Sequence, residues 1–556
     1  MLSFALCTLV LYQTTVLAIQ PEVVLQQGTL KGLWADSLGG RPYAAFYGIP
    51  YAKPPVGKNR FKEPVAAEPW LGIYNATKEP PKCLQLYIFD VRAPSKLEGS
   101  EDCLYVNVFT PRLNTGAAEQ KPLHVIAHIH GGAFMVGSSL DGGVDYIMDR
   151  DIVFVSFNYR LGPLGFLSTG DVAVPGNNGL KDQVLALKWI QQNIAAFGGD
   201  PNSVTLTGFS AGSGSVHYHV LSPLSKGLFK AAICVSGSSL SPWGVAENVR
   251  EKSFVVAREL GCPDVDSLSM IKCLRRRPAE HIVQTTNNFL GWYYNPVVPF
   301  GPVVEPPGPN AFLPDTPINL IKQGKSSDVP MMITFTKDEG MFFAIDIITN
   351  PNLNNEIKAD WNGIAPYLFD YNYTAPTDKR EEVSKEIKNH YNIDVDSEEG
   401  QKNLLKALSD RIVVAGTAKM ARVHSSINTS PVYMLRFSYT GKYSYASTMG
   451  MPKDMGVAHG EDLMYVLSAK QTSTQETEAD RQVSRELIDL WVSFAANSTL
   501  DVPTFNQNLP KITFTDFQGP NQLVPTMVDE LGEENFWDSL KLKENIESVV
   551  PTKNEL

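Results

Sequence analysis

Apolar residues fall in short, nearly continuous runs separated by stretches rich in glycine and proline. Residues 125–129 and 152–157 are almost wholly apolar, the pattern of central parallel strands covered on both faces. Residues 104–109, 331–335 and 432–437 read as further strands, and Val204-Thr205-Leu206-Thr207 is a β-branched run that leads into Gly208. Between them, Val184, Leu187, Ile190 and Ile194 recur at helical spacing over residues 180–197. That helix stops at Phe197-Gly198-Gly199-Asp200-Pro201, a strong breaker. A second helix is expected over 213–221. Val23-Val24-Leu25 and Ala45-Phe46-Tyr47 predict short strands at a sheet edge. The order strand, loop, strand, helix, strand, helix predicts an α/β fold, an open and mainly parallel sheet with helices on both faces. Beyond Ser238 the pattern loosens. It predicts a helix over 245–260, a proline-rich stretch over 296–317, a helical lid or gorge wall over 343–430, and an amphipathic helix over 486–496. No repeat or linker divides residues 19–556, which read as one domain.

Residues 1–18 are apolar and free of acidic side chains, and end Val16-Leu17-Ala18. Small residues at the −3 and −1 positions predict signal-peptidase cleavage after Ala18. The run is too short to span a membrane and is broken by Tyr12-Gln13-Thr14-Thr15. No later segment reaches spanning length, so a secreted or lumenal protein without a transmembrane segment is expected. The C-terminal Lys553-Asn554-Glu555-Leu556 resembles a K-D-E-L retention signal with Asn for Asp, which makes the endoplasmic reticulum lumen the alternative destination.

Entry into the secretory path gives meaning to the cysteines and to four sequons, at Asn75, Asn372, Asn428 and Asn497. Cys7 leaves with the leader. Cys234 sits in a strand-like run and is the natural free thiol, and the others pair most simply as Cys83–Cys103 and Cys262–Cys273. A net charge of −11 leaves no basic surplus to neutralise phosphates, which argues against a nucleic-acid partner. Arg275-Arg276-Arg277 reads as a solvated helix end.

The chemistry centres on Gly208-Phe209-Ser210-Ala211-Gly212, a G-x-S-x-G pattern between a strand and a helix. A serine at such a turn is held clear of the backbone at a helix N-terminus, where developing negative charge is stabilised. It needs a base, an orienting acid and oxyanion donors. His130-Gly131-Gly132-Ala133-Phe134 follows the 125–129 strand at once, so Gly132 and Ala133 are candidate N–H donors with Ala211. The acid is expected after the next central strand, where Asp338 and Glu339 both qualify by spacing. Among the histidines, His459 follows the 432–437 strand in a glycine-bounded loop and completes the order serine, acid, histidine. His128-x-His130 places two imidazoles on one strand face, but without further ligands no metal site is expected. His217 and His219 read as structural.

The same chain carries Phe46-Tyr47-Gly48-Ile49-Pro50, Ser100-Glu101-Asp102-Cys103-Leu104-Tyr105-Val106-Asn107, Asn158-Tyr159-Arg160-Leu161-Gly162-Pro163 and Asn177-Asn178-Gly179-Leu180-Lys181-Asp182. Together with the serine motif, Lys337-Asp338-Glu339-Gly340 and Ala458-His459-Gly460, these resemble the type-B carboxylesterases, which include cholinesterases and insect esterases, and most of all the insect carboxylesterases. The resemblance implies an α/β-hydrolase fold, Ser210 as nucleophile, Glu339 rather than Asp338 as the acid, and His459 as base. It also implies both disulfides, the buried ion pairs Arg60–Glu101 and Arg160–Asp182, and no cofactor. Phe300 resembles an acyl-pocket position.

Two departures bear on the small-molecule ester expected as substrate. Phe209 stands where cholinesterases have glutamate and juvenile hormone esterases glutamine, and the 83–103 loop contains no tryptophan to hold a quaternary amine. Both point to neutral aliphatic or aryl esters. A juvenile hormone esterase is the alternative substrate reading, and an ester-sequestering or non-catalytic adhesion member is the alternative class.

Overall fold

The computed structural model describes residues 20–89, 96–114, 121–448, 455–469, 474–475, 477–509 and 511–547. The expected leader and the C-terminal tetrapeptide lie outside the described residues. One 11-stranded sheet organises the chain. Its strands are β1 (Leu33–Asp36), β2 (Pro42–Pro50), β3 (Tyr105–Thr110), β4 (Leu123–Ile129), β5 (Ile152–Phe157) and β6 (Gly199–Phe209). They continue as β7 (Ala231–Val235), β8 (Met331–Thr336), β9 (Val432–Phe437), β10 (Ile512–Gly519) and β11 (Gln522–Val528). The spatial order is β1-β2-β3-β5-β4-β6-β7-β8-β9-β10-β11. Neighbours from β5 to β10 run parallel, and the pairs at both ends run antiparallel.

The continuous apolar runs have the cause the pattern suggested. Along β5, Val153, Val155 and Phe157 pack into one core, while Ile152 and Phe154 pack into the other. On β7, Ala232 and the free Cys234 face the first core, and Ala231, Ile233 and Val235 face the second. A strand with no solvent side has no reason to alternate. Around β4 the connections reverse, since β5 lies on one side of it and β6 on the other. In parallel α/β sheets such a reversal opens a crevice at the carboxyl ends of the strands. The segments leaving β4 and β6 are the glycine loop and Ser210.

Several elements differ in extent from the sequence pattern. The helix Asn178–Asn193 gives way to a 3-10 turn, Ile194–Phe197, before Gly198 turns away at φ 82. The late helix runs Glu478–Asn497 because Thr477 and Asp480 form a capping box well ahead of its apolar face. The β10–β11 hairpin was not expected, since Thr513, Thr515 and Asp516 interrupt its apolar pattern. Residues 343–430 are helical, and their last long helix contains a π-helical stretch, Asp410–Val414.

Cys83 is bonded to Cys103 and Cys262 to Cys273. Arg60 ties the two loops together. Its Nε and Nη2 donate to the Glu101 oxygens, both at 2.6 Å. Its Nη1 donates to the carbonyls of Leu274, Arg275 and Arg277 at the end of the helix Ser267–Leu274. Arg160 makes a second bidentate pair, donating to Asp182 from Nε at 2.7 Å and Nη2 at 2.6 Å, with both groups buried. Removing one partner of such a pair strands a buried charge. Asp182→Ala is therefore expected to destabilise the protein by about 3–5 kcal/mol, read as a lowered denaturant midpoint.

The sequons differ in exposure. Asn75 and Asn497 are exposed, Asn428 is half-buried and hydrogen-bonded, and Asn372 is buried at 7% exposure. Asn372 is therefore the least accessible of the four to a glycan. Glycopeptide mapping of secreted protein should find sugar on Asn75 and Asn497 and none on Asn372.

Candidate active site

Ser210 follows β6 with φ 57 and ψ −120 and starts the helix Ala211–Leu221. Positive φ costs a non-glycine residue about 1–3 kcal/mol and persists only where neighbours enforce it. Here the Ser210 N–H donates to Val235 O on β7 at 2.8 Å. Space alone requires the flanking glycines. A Cβ on Gly208 would lie 2.3 Å from Gly212 O, and one on Gly212 would lie 2.1 Å from Ile129 O. The second approach seats the helix start against the end of β4, where the glycine loop begins.

In that loop Gly132, Ala133 and Phe134 all take positive φ, at 102, 57 and 58. Gly132 O accepts from the N–H groups of Met135 and Val136, both at 2.9 Å. Among the described residues, the backbone N–H groups of Gly132 and Ala133 have no protein acceptor. Ala211 opens its helix, where first-turn N–H groups lack an intrahelical partner. All three residues line one cavity with Ser210 and His459.

Glu339 follows β8 and is fully buried. Its Oε2 lies 2.5 Å from His459 Nδ1, and its Oε1 accepts from Ser236 Oγ at 2.6 Å and from the Thr336 N–H at 2.7 Å. Those donors fix the carboxylate and commit Nδ1 of the imidazole to it, which leaves Nε2 for chemistry. Asp338, equally eligible by spacing, has another task. Its Oδ2 accepts from the Val457 N–H at 3.0 Å, and its own N–H donates to Val457 O at 3.0 Å. It anchors the backbone of the histidine loop while Glu339 reaches the ring.

Two further carboxyls follow His459. Glu461 accepts from the Ala458 N–H at 2.7 Å, and Asp462 from the Leu463 N–H at 2.8 Å. Burial pushes Glu461 up to about 7. Burial, with the charge of Glu339 behind it, pushes Asp462 up to about 7 as well. Neither residue was singled out from the sequence, nor were Ser236 and Thr336. Nothing in their spacing marks them, because strands far apart in the chain bring them together.

The cavity holds about 490 Å³, and Tyr87, Phe89, Trp243, Phe342, Phe343 and Tyr445 form much of its wall. Phe300, expected at an acyl pocket, stands behind that wall and does not itself line it. It is buried with its ring edge-on to Phe289 at 5.0 Å, and Val297 and Val298 line the cavity in its place. His128 and His130 also face the cavity, and burial pushes both below the ordinary imidazole range. Among the described residues no group of three metal-ligating side chains forms. His217 and His219 are buried in hydrogen bonds, His217 to His424 and His219 to Ser225 and Gln183.

Residues 19–524 match the model described as the Carboxylesterase family. The chain belongs to the carboxylesterase family. This carboxylesterase is 43% identical to Esterase FE4 of Myzus persicae over 496 residues, 88% of this chain and 86% of that protein. It is 38% identical to Venom carboxylesterase-6 of Apis mellifera over 94% of this chain and 95% of that protein. The crystal structure of juvenile hormone esterase from Manduca sexta, with OTFP covalently attached, superimposes with a TM-score of 0.81 at 29% identity. That match covers 94% of this chain and 99% of the other. The fold is thus the α/β-hydrolase fold, and the protein is a carboxylic ester hydrolase acting on small-molecule esters. Among the described residues no helix is long and apolar enough to cross a membrane.

The raised carboxyls give stability a pH dependence of definite sign. A buried acid whose folded pKa exceeds its unfolded value favours folding in its neutral form. That contribution is complete below the ordinary carboxyl range near 4 and is lost as pH rises through about 7. Asp462→Asn should therefore flatten the fall in thermal midpoint between pH 4 and 7, measured against the parent across that range.

Proposed function

We propose that Ser210, His459 and Glu339 hydrolyse neutral aliphatic or aryl carboxylic esters through an acyl-enzyme. The observation that carries this reading is the 2.5 Å contact of His459 Nδ1 with Glu339 on a cavity that Ser210 also lines. Ser210 Oγ attacks the carbonyl carbon and its proton passes to His459 Nε2. The oxyanion that forms accepts from the N–H groups of Gly132, Ala133 and Ala211. Removing one such donor typically costs about 10²–10³ in turnover. His459 gives the proton to the departing alcohol, then takes one from water, which releases the acid and restores the serine. Glu339 keeps Nδ1 protonated and stabilises the imidazolium. The OTFP covalently attached to the related Manduca sexta enzyme supports a covalent route in this fold.

The phenylalanine at 209 favours a neutral substrate over a quaternary amine, because no carboxylate stands at that position. Juvenile hormone esterase is the second substrate reading, favoured by the Manduca sexta likeness and by 35% identity to juvenile hormone esterase of Tribolium castaneum. Two disulfides and the apolar leader support secretion, with lumenal retention through residues 553–556 as the alternative.

An organophosphate probe should label wild type at Ser210 and leave Ser210→Ala unlabelled. Equal, negligible labelling of both would leave an adhesion role standing instead. Burst kinetics with an aryl ester then separate turnover from sequestration, and a choline ester is expected to turn over more slowly than an aryl or aliphatic one.

A further inference from the structure

The residue before the nucleophile does more than withhold a charge. Phe209 ends β6, half-buried, and its ring centroid lies 4.6 Å from that of His459 with 38° between the planes. Gly460, the next residue along the histidine loop, takes φ 81, and a Cβ there would lie 2.5 Å from Phe209 Cζ. The histidine loop is therefore shaped to admit this ring. Phe342 and Phe343 stand farther off, at 6.1 and 6.0 Å.

Glu339 holds the imidazole at one nitrogen, which fixes its position but leaves rotation about that contact to be limited by packing. A six-membered ring at 4.6 Å supplies that limit. It also offers π density to a ring that becomes cationic each time the base takes a proton, which favours the charged form. We propose that Phe209 is a positioning residue that clamps the His459 ring and stabilises its protonated form. The proposal rests on the reading of His459 as the base.

Among the described residues, the charged and titratable groups around His459 are Glu339 at its Nδ1, Asp462 whose carboxyl it faces electrostatically, Glu461 and Asp338 on the two loops, and Tyr445, His128, His130, Asp141 and Lys82 on the shared cavity wall. Substitutions at Phe209 alter none of these groups, so a displaced pH profile reports the ring.

The test compares Phe209→Leu, Phe209→Met and a 3,5-difluorinated phenylalanine at position 209 in the full chain, with rates expressed per site titrated by the organophosphate probe. Titration removes any unfolded fraction from the comparison, and the difluorinated ring keeps the packing while thinning the π cloud. The acid limb of kcat/KM should move to lower pH by about 0.5 unit in the Leu and Met forms, the size expected of a partly exposed contact. The difluorinated form should fall between them and wild type. Turnover of a short acetyl ester and of a bulky ester should drop alike, by about three- to tenfold. The proposal is overturned by an acid limb unmoved in Leu, Met or the difluorinated form. A loss confined to KM for the bulky ester overturns it too, because Phe209 is then only cavity wall. Failure of the probe to label wild type at Ser210 is a separate result, read before any profile, and sinks the triad reading instead.

Discussion

The site depends on one close approach, Gly212 against the carbonyl oxygen of Ile129. No side chain fits between them, and because none is present the start of the serine helix rests on the end of β4. That contact sets where Ser210 stands relative to the glycine loop, since the loop leaves β4 at the next residue. The positive φ of Ser210, the bond from its N–H to Val235, and the left-handed run Gly132–Phe134 all follow from fitting three segments into that corner. The reversal of strand order around β4 creates the corner in the first place.

Electrostatics around the corner are arranged by depth. Glu339 is fully buried and is held by a hydroxyl, a backbone N–H and the imidazole. Asp462, nearly as deep, has fewer donors and sits beside that charge, so burial drives it toward neutrality. The two carboxyls are both enclosed and differ in their partners.

What could be read from the sequence follows the same physics. Strands covered on both faces announce themselves as apolar runs, and residues 152–157 and 432–437 fold over the limits their composition suggested. Gly208, Gly212 and the glycine loop were legible because close backbone approach leaves few residue choices. Asp338 and Glu339 could not be told apart by spacing, since adjacent residues at a strand end point to different neighbours, one to a backbone amide and one to a ring. Phe300 was marked by resemblance alone, and in the fold its neighbours Val297 and Val298 form the cavity surface in front of it. The ring contact of Phe209 with His459 joins the end of β6 to the distant histidine loop, and no local pattern encodes it.

The pairing of Asp338 with Val457 has a consequence for how such a protein can diversify. Its two hydrogen bonds tie the residue beside Glu339 to the histidine loop, while the parallel pairing of β8 with β9 pins both ends of the helical excursion between those strands. Lengthening a closed loop costs little once its ends are fixed, each doubling adding only about 0.6 kcal/mol. The helices of that excursion contribute Phe342, Ile412 and Val413 to the cavity wall, while Glu339 and His459 lie outside them. This part of the cavity wall can thus be remodelled by insertion or deletion while Glu339 and His459 keep their contact.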